Sequence, residues 1–308
     1  MTPESLIPLF AAAVAAAIPL LLAALGELVT ERSGVLNLGL EGMMLMGAVA
    51  SFMVVASGGG LVLATLCGCL AGLLAALVFA ILTLSLQASQ VATGLALAIL
   101  GSGVSAFLGR GYVGNPAKLT FAELPVPVLS SIPVIGPALF TMNALGYLAV
   151  ILVAATTYFL YRTKSGLILR SVGESPVVAQ SLGLRVIRIR YLATMFGGAM
   201  AGLAGCYYAV AQFKMWQEGL TSGNGWIALA LVVFASWRPV RLVVGALLFG
   251  GVTAFGFYLQ AVGVHVSAFA LSALPYIATV VVLTVISRDQ RALRRNAPAS
   301  LGQPYFGM

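Results

Sequence analysis

Apolar runs dominate this chain. They lie at 6–26, 42–57, 61–84, 91–108, 142–161, 191–213, 241–260 and 271–287, with a shorter run at 223–236. Most have the roughly 17–25 residues a helix needs to cross a hydrocarbon layer about 30 Å thick. Lipid offers no hydrogen bonds to backbone groups, so a spanning segment must be a helix or part of a closed barrel. Continuous apolar runs of this length, without polar alternation, select the helix. Hydrophobic residues make up 61% and charged residues 8% of the 308 positions, outside the range of soluble domains. The expected fold is all-α: a polytopic transmembrane bundle of about 8–10 spans, some short or broken. Residues 1–287 are expected to form one transmembrane domain, followed by a basic tail over 288–308. Met1–Ser5 has no basic residue before the first apolar run, so that run is expected to be a retained span rather than a signal peptide.

The basic residues orient the bundle. Six of the sixteen lie between Arg162 and Arg190, two are Arg238 and Arg241, and four lie in Arg288–Arg295. Lys and Arg are retained in cytoplasmic loops, which puts these three segments on the cytosolic side. Tracing the spans back from there places 109–141 and the N-terminus outside. The net charge of +8 is thus explained by orientation, without nucleic acid.

Within the basic loop lies Gly173-Glu174-Ser175-Pro176-Val177-Val178-Ala179-Gln180-Ser181-Leu182-Gly183. Ser175 suits a helix N-cap, Pro176 the first turn and Gly183 a left-handed stop. The pattern predicts a cytosolic helix of about two turns, started and stopped more cleanly than a bare connector requires. Gly68-x-x-x-Gly72 and Gly198-x-x-x-Gly202 are packing signals for close helix pairs. Cys67, Cys69 and Cys206 fall inside apolar runs and read as small packing residues.

Several chemistries are excluded. The chain has no Gly-x-x-x-x-Gly-Lys-Ser/Thr phosphate loop. His265 is the only histidine and Asp289 the only aspartate, so no Ser/His/Asp triad or metal-ligand cluster is available. Ionisable residues gather at Glu27, Glu31, Arg32 and Glu41, expected near the cytosolic end of the first two spans, and the other spans are nearly free of charge. That counts against a proton or sodium relay, which places ionisable groups in the membrane.

Val172-Gly173-Glu174-Ser175-Pro176, with Ala179 and Leu182-Gly183-Leu184, resembles the loop by which permease subunits of ABC importers contact their ATPases. Phe196–Gly205 is similar to the helix that follows that loop. Glu31-Arg32-Ser33-Gly34-Val35-Leu36-Asn37-Leu38-Gly39-Leu40-Glu41-Gly42 resembles the broken-helix signature, and 225–230 and 245–250 resemble the C-terminal half. The resemblance covers about 6–287. It is to the permeases serving branched-chain amino acids, ribose-like sugars and nucleosides, and it is nearest the nucleoside and simple-sugar branch. Segment 86–98 matches that branch less closely, with Ser89 and Ala98 at positions where Asn is usual.

The resemblance implies a type II ABC importer permease in a bacterial inner membrane, multi-pass, without a nucleotide site or cofactor of its own. The implied partners are a paralogous permease subunit, a cytosolic ABC ATPase that binds the ATP, and an extracytoplasmic substrate-binding lipoprotein. Membrane lipid and a small-molecule substrate complete the set, with no nucleic acid. Gly173, Glu174, Ser175, Pro176, Ala179 and Gly183 would form the ATPase-coupling element. An ion-coupled secondary carrier and an ABC permease for branched-chain amino acids are the competing readings.

The irregular pieces 27–41 and 218–226 form a pair, and broken helices in corresponding halves of a transporter mark substrate paths. Asn37, Glu41, Gln90, Thr93, Asn224 and Trp226 are therefore the path candidates. Each has a plainer reading. Asn37 and Glu41 could cap and solvate a helix break, Asn224 could cap the 223–236 helix, and Trp226 could anchor at the interface. Gln90 could be an interfacial residue.

Overall fold

The computed structural model describes residues 3–127, 129–132, 135–262, 267–287 and 296–306. Among these the secondary structure is helical, with isolated bridges and no strand. The long helices are α1 (Pro3–Arg32), α2 (Leu40–Ala56), α3 (Leu61–Ala80), α4 (Gln90–Gly109), α6 (Ala144–Arg162), α9 (Val186–Cys206), α11 (Pro239–Ala261) and α12 (Ala268–Ser287). Shorter ones are α5 (Ile135–Leu139), α7 (Lys164–Glu174), α8 (Pro176–Ser181) and α10 (Asn224–Phe234). Single π-turns extend α3 over Ile81–Ser85 and α9 over Tyr207–Gln212.

Helix α1 is the axis of the bundle. Leu22, Ala23, Ala24, Leu25 and Leu28 are fully buried by α9, α10 and α11. By contrast Leu63, Leu66, Leu70 and Leu74 on α3, Ile99 and Phe107 on α4, and Val240 and Val244 on α11 face outward. Lipid covers such faces at no cost in a bilayer, so the outer surface stays apolar. The small-residue signals sit at crossings. A Cβ on Gly101 would lie 2.5 Å from Gly42 Cα, and one on Gly42 would lie 2.5 Å from the Leu97 carbonyl oxygen. A Cβ on Gly72 would meet the backbone of Gly198 and Gly202 across the α3–α9 crossing. Side chains there would push the backbones apart and forfeit the dispersion contacts that hold helices together in lipid.

Three expectations need correction. The first apolar run does not end at 26: α1 continues through Glu27 and Glu31 to Arg32, and the irregular piece shrinks to about 33–39. The two carboxylates of α1, expected near the cytosolic end of the first two spans, are buried in the protein. Glu27 accepts the Asn37 N–H at 3.1 Å and Glu31 accepts the Trp237 indole N–H at 2.5 Å, so the helix continues because distant partners receive its polar groups. The segment 162–190, expected as a loop carrying one short helix, is more helical than that. It folds into α7, α8 and the first turn of α9, and Arg190, counted among the basic residues of the cytosolic loop, is 1% exposed. Finally, the segment after α12 is not simply a solvated tail, because 296–305 packs into the bundle.

The two ends of the bundle are distinct. Arg32 donates to the Trp237 and Asn296 carbonyls, Arg190 to the Ser33 carbonyl, and Ser300 bonds Gly173. The segments expected in the cytosol thus share one end. At the other end Val113 and Pro116 bridge Trp216 and Met215, and Glu123 bridges Asn143, which groups the expected outer segments.

Candidate functional site

At the end expected to face the cytosol, α8 has the expected caps. The Ser175 hydroxyl accepts the Val178 N–H at 3.4 Å and Pro176 occupies the first helical position. Gly183 takes φ +80°, its N–H reaches the Gln180 carbonyl at 2.8 Å, and the Leu184 N–H reaches the Ala179 carbonyl at 3.1 Å. These two bonds are the Schellman closure of a helix C-terminus. Ala179 is buried with Val172 and Val186, while Val177, Val178 and Leu182 stand exposed. Glu174 is exposed at the entrance. Gly173 is buried, and a Cβ there would meet the Arg32 carbonyl. The end of α7 therefore packs on the end of α1, and α8 follows it, resting on α7 and α9 with an apolar face left over.

The break between α1 and α2 is held by side chains. Asn37 Oδ1 accepts the Gly39 N–H at 3.0 Å, and Gln90 accepts the Leu36 N–H at 2.8 Å. The chain then reverses into α2, whose second residue is Glu41. One Glu41 oxygen accepts the Gly223 N–H at 2.8 Å and the Thr221 hydroxyl, and the other accepts the Gly225 N–H at 2.6 Å. Glu41 thus caps α10 from another helix, filling the place expected for Asn224. A carboxylate suits this position, where free N–H groups and the helix dipole both favour negative charge. Ser222 and Gly223 have φ +48° and +80°, the turn needed to aim these N–H groups at Glu41. No side chain fits beside it: a Cβ on Gly225 would lie 2.6 Å from Glu41 Cα.

This junction lies well inside the bundle, away from the end expected to face the cytosol. Arg32 ties the C-terminal end of α10 to the end of α1 through the Trp237 carbonyl, at 2.8 Å. The 11 residues of α10 advance only about 16 Å from there, roughly half of a 30 Å hydrocarbon layer. Glu41, expected near the cytosolic end of the first two spans, therefore stands about 16 Å from that end, where the N-termini of α2 and α10 meet.

Beside the junction is a cavity of about 220 Å³ between α1, α10, α11, α12 and the π-turn ending α9. Its polar lining is Tyr208, Gln212, Ser222, Asn224, Thr253, Gln260 and Tyr276, with Leu20, Ile227 and Phe257 among the apolar walls. Among the described residues no ionised side chain lines it. Tyr276 donates to the Ser222 carbonyl at 2.5 Å, and the buried Gln212 Oε1 has no protein partner. A π-turn often marks a functional site, and this one carries Tyr208 and Gln212 to the cavity wall.

Of the six path candidates, only Asn224 lines this cavity. Asn37, Glu41 and Gln90 build the junction, Thr93 is half-buried on α4, and Trp226 is 36% exposed on α10. Gln212, Gln260, Tyr208 and Tyr276 were not picked out from the sequence. Their one local signal is a polar or phenolic group inside, or at the outer end of, an apolar run. Among the described residues no group of His, Cys, Asp and Glu is arranged to hold a metal.

Comparison with known proteins places these features in context. Residues 9–286 match the profile of the family described as "Branched-chain amino acid transport system / permease component". The chain is 40% identical to the "Putative glucose ABC transporter permease protein TsgC13" of Haloferax volcanii, over 96% of both chains. It is 34% identical to the guanosine ABC transporter permease protein NupQ of Bacillus subtilis, covering 94% of this chain and 93% of that one. It is 32% identical to the nucleoside ABC transporter permease protein NupC of Lactococcus lactis, covering 87% and 88%. No solved structure matches the chain.

Proposed function

The chain belongs to the branched-chain amino acid transport system permease family of ABC transporters, a multi-pass protein of the cell membrane, and from that membership we propose that it forms half of an import path for a nucleoside or simple sugar. The observation that carries this reading is the hydrogen-bonding cavity, uncharged among the described residues, beside the junction where α2 and α10 begin. Carboxamides and phenols can exchange hydrogen bonds with the hydroxyls of a neutral solute, whereas a polyanion or metal ion would need charged or ligating groups that the wall lacks. The relatives named for glucose, guanosine and nucleosides support the same class.

On this reading an extracytoplasmic binding protein delivers solute to the outer end. A second permease subunit closes the other side of the path. Cytosolic ATPases dock on α8 through Val177, Val178 and Leu182, whose exposure would be an expense in water without a partner. The chain itself binds no nucleotide, since it has no phosphate cradle. The scarcity of charge inside the spans disfavours an ion-coupled carrier.

The test is uptake of labelled guanosine, uridine, glucose, ribose and leucine in cells with and without this gene. Nucleoside or sugar uptake should fall when the gene is lost. A fall in leucine uptake alone would reject the substrate class while leaving the family intact. Within the responding class, Gln212→Met keeps the side-chain length but removes the carboxamide of this cavity-lining residue. It should raise the apparent KM about fivefold or more, as expected when one hydrogen bond to the solute is lost. An unchanged KM would remove Gln212 from the path.

A further inference from the structure

Residues 296–305 follow an arginine-rich stretch and, by composition, look like the end of a solvated tail. Their contacts are those of a built element. Ser300 is 5% exposed, and both its N–H (3.1 Å) and its hydroxyl (2.7 Å) donate to the Gly173 carbonyl. The Gly302 N–H donates to the Gly34 carbonyl at 3.2 Å, after a turn that Gly302 makes at φ +73°. The Tyr305 hydroxyl donates to Gln180 on α8, and its ring packs against the Val172, Ala179 and Val186 cluster beneath that helix. Arg190 joins the parts. Its Nε donates to the Ser33 carbonyl at 3.1 Å, its Nη2 to Ser300 Oγ at 3.1 Å, and its guanidinium lies 5.6 Å from the centre of the Tyr305 ring.

One short segment thus grips the coupling helix at Gln180, the end of α7 at Gly173 and the α1–α2 break at Gly34. Three residues beyond Gly34, Asn37 holds the start of α2, and Glu41 on α2 caps α10 at the cavity. We propose that residues 296–305 are a strap that transmits movement of α8 to the α1–α2 break, and through Glu41 to the cavity. This rests on α8 being where the ATPase docks. A rigid connection is needed there because α8 touches the bundle directly only through a small apolar cluster, and a six-residue helix resting on so few contacts could move without moving anything else. The strap adds hydrogen bonds to both partners, so that neither can shift alone. Energetic coupling between sites requires such an element with defined arrangements, and its demonstration requires a coupling measurement.

The measurement uses the assembled importer. Four readings are taken: chain level in the membrane, ATPase retained on pull-down, uptake, and stimulation of ATP hydrolysis by the transported solute. A chain truncated after Ala297 should reach the membrane and retain the ATPase. Its uptake should fall about five- to tenfold, within the range of coupling between sites, and solute should no longer stimulate hydrolysis. Tyr305→Phe keeps the ring against Arg190 but loses the hydroxyl, and Gln180→Ala removes its acceptor. Each should lower uptake, and the double variant should be no worse than the more affected single, because both remove one connection. Full uptake by the truncated chain would overturn the strap, as would independent, multiplicative effects of the two substitutions. Loss of the ATPase from the truncated chain would also overturn it, making the segment a docking element instead. If the truncated chain does not reach the membrane, Tyr305→Phe and the double variant decide. A wild-type chain that retains no ATPase would count against the docking role of α8, a different failure.

Discussion

Glu41→Gln is expected to reduce uptake to near background while the chain still inserts in the membrane. The carboxylate accepts three hydrogen bonds, from Thr221, Gly223 and Gly225, and a carboxamide offers one oxygen. With that oxygen toward Thr221 and Gly223, the amide NH2 points at the Gly225 N–H, donor against donor. A buried donor left without an acceptor costs about 1–3 kcal/mol, more when the lost partner was charged. Lipid and packed backbone give Gly225 little opportunity to find water, so the start of α10 should loosen and the cavity wall with it. Glu41→Ala should be worse, since it strands all three donors. Purified variants should melt at lower temperature than wild type, with Ala below Gln. Normal uptake and an unchanged melting temperature for Glu41→Gln would reject the capping role.

The second large effect is expected at Gly183. Nothing lies within 4 Å of a Cβ built there, so space is not the limit; the backbone at φ +80° is. The left-handed conformation costs an L-residue about 1–2 kcal/mol, and more for a β-branched one. Gly183→Val should therefore open the closure of α8 and displace Val177, Val178 and Leu182. Uptake should fall about tenfold or more and less ATPase should be retained on pull-down. Asn tolerates this conformation, so Gly183→Asn should transport nearly as well as wild type. Equal uptake by the Val and Asn variants would show that the geometry of this stop is immaterial to coupling.

Much of this was legible in the sequence, for physical reasons. A spanning helix announces itself because lipid demands a long apolar run, and α3, α4, α6 and α11 lie close to their expected bounds. The caps of α8 were legible because Ser175, Pro176 and Gly183 act on neighbouring backbone. What could not be read locally depends on partners far along the chain. Glu27 and Glu31 look like a helix leaving the membrane, yet Glu31 is received by Trp237, 206 positions away. Glu41 looks like a surface carboxylate, and its three donors lie 180 or more residues on. Arg190 counts as one more cytosolic cation until the Ser33 carbonyl and Ser300 close around it. The cavity shares this character, since Gln212, Asn224, Gln260 and Tyr276 come from different segments and carry no common spacing.

The most direct test of the account is energy coupling. The chain would be purified with its partner subunits, reconstituted in proteoliposomes and supplied with the binding protein and labelled guanosine or glucose. Accumulation should require ATP on the cytosolic face, should persist when a protonophore collapses the ion gradient, and should vanish when the ATPase is omitted. Accumulation that proceeds without ATP and is abolished by the protonophore would contradict the account and identify an ion-coupled carrier.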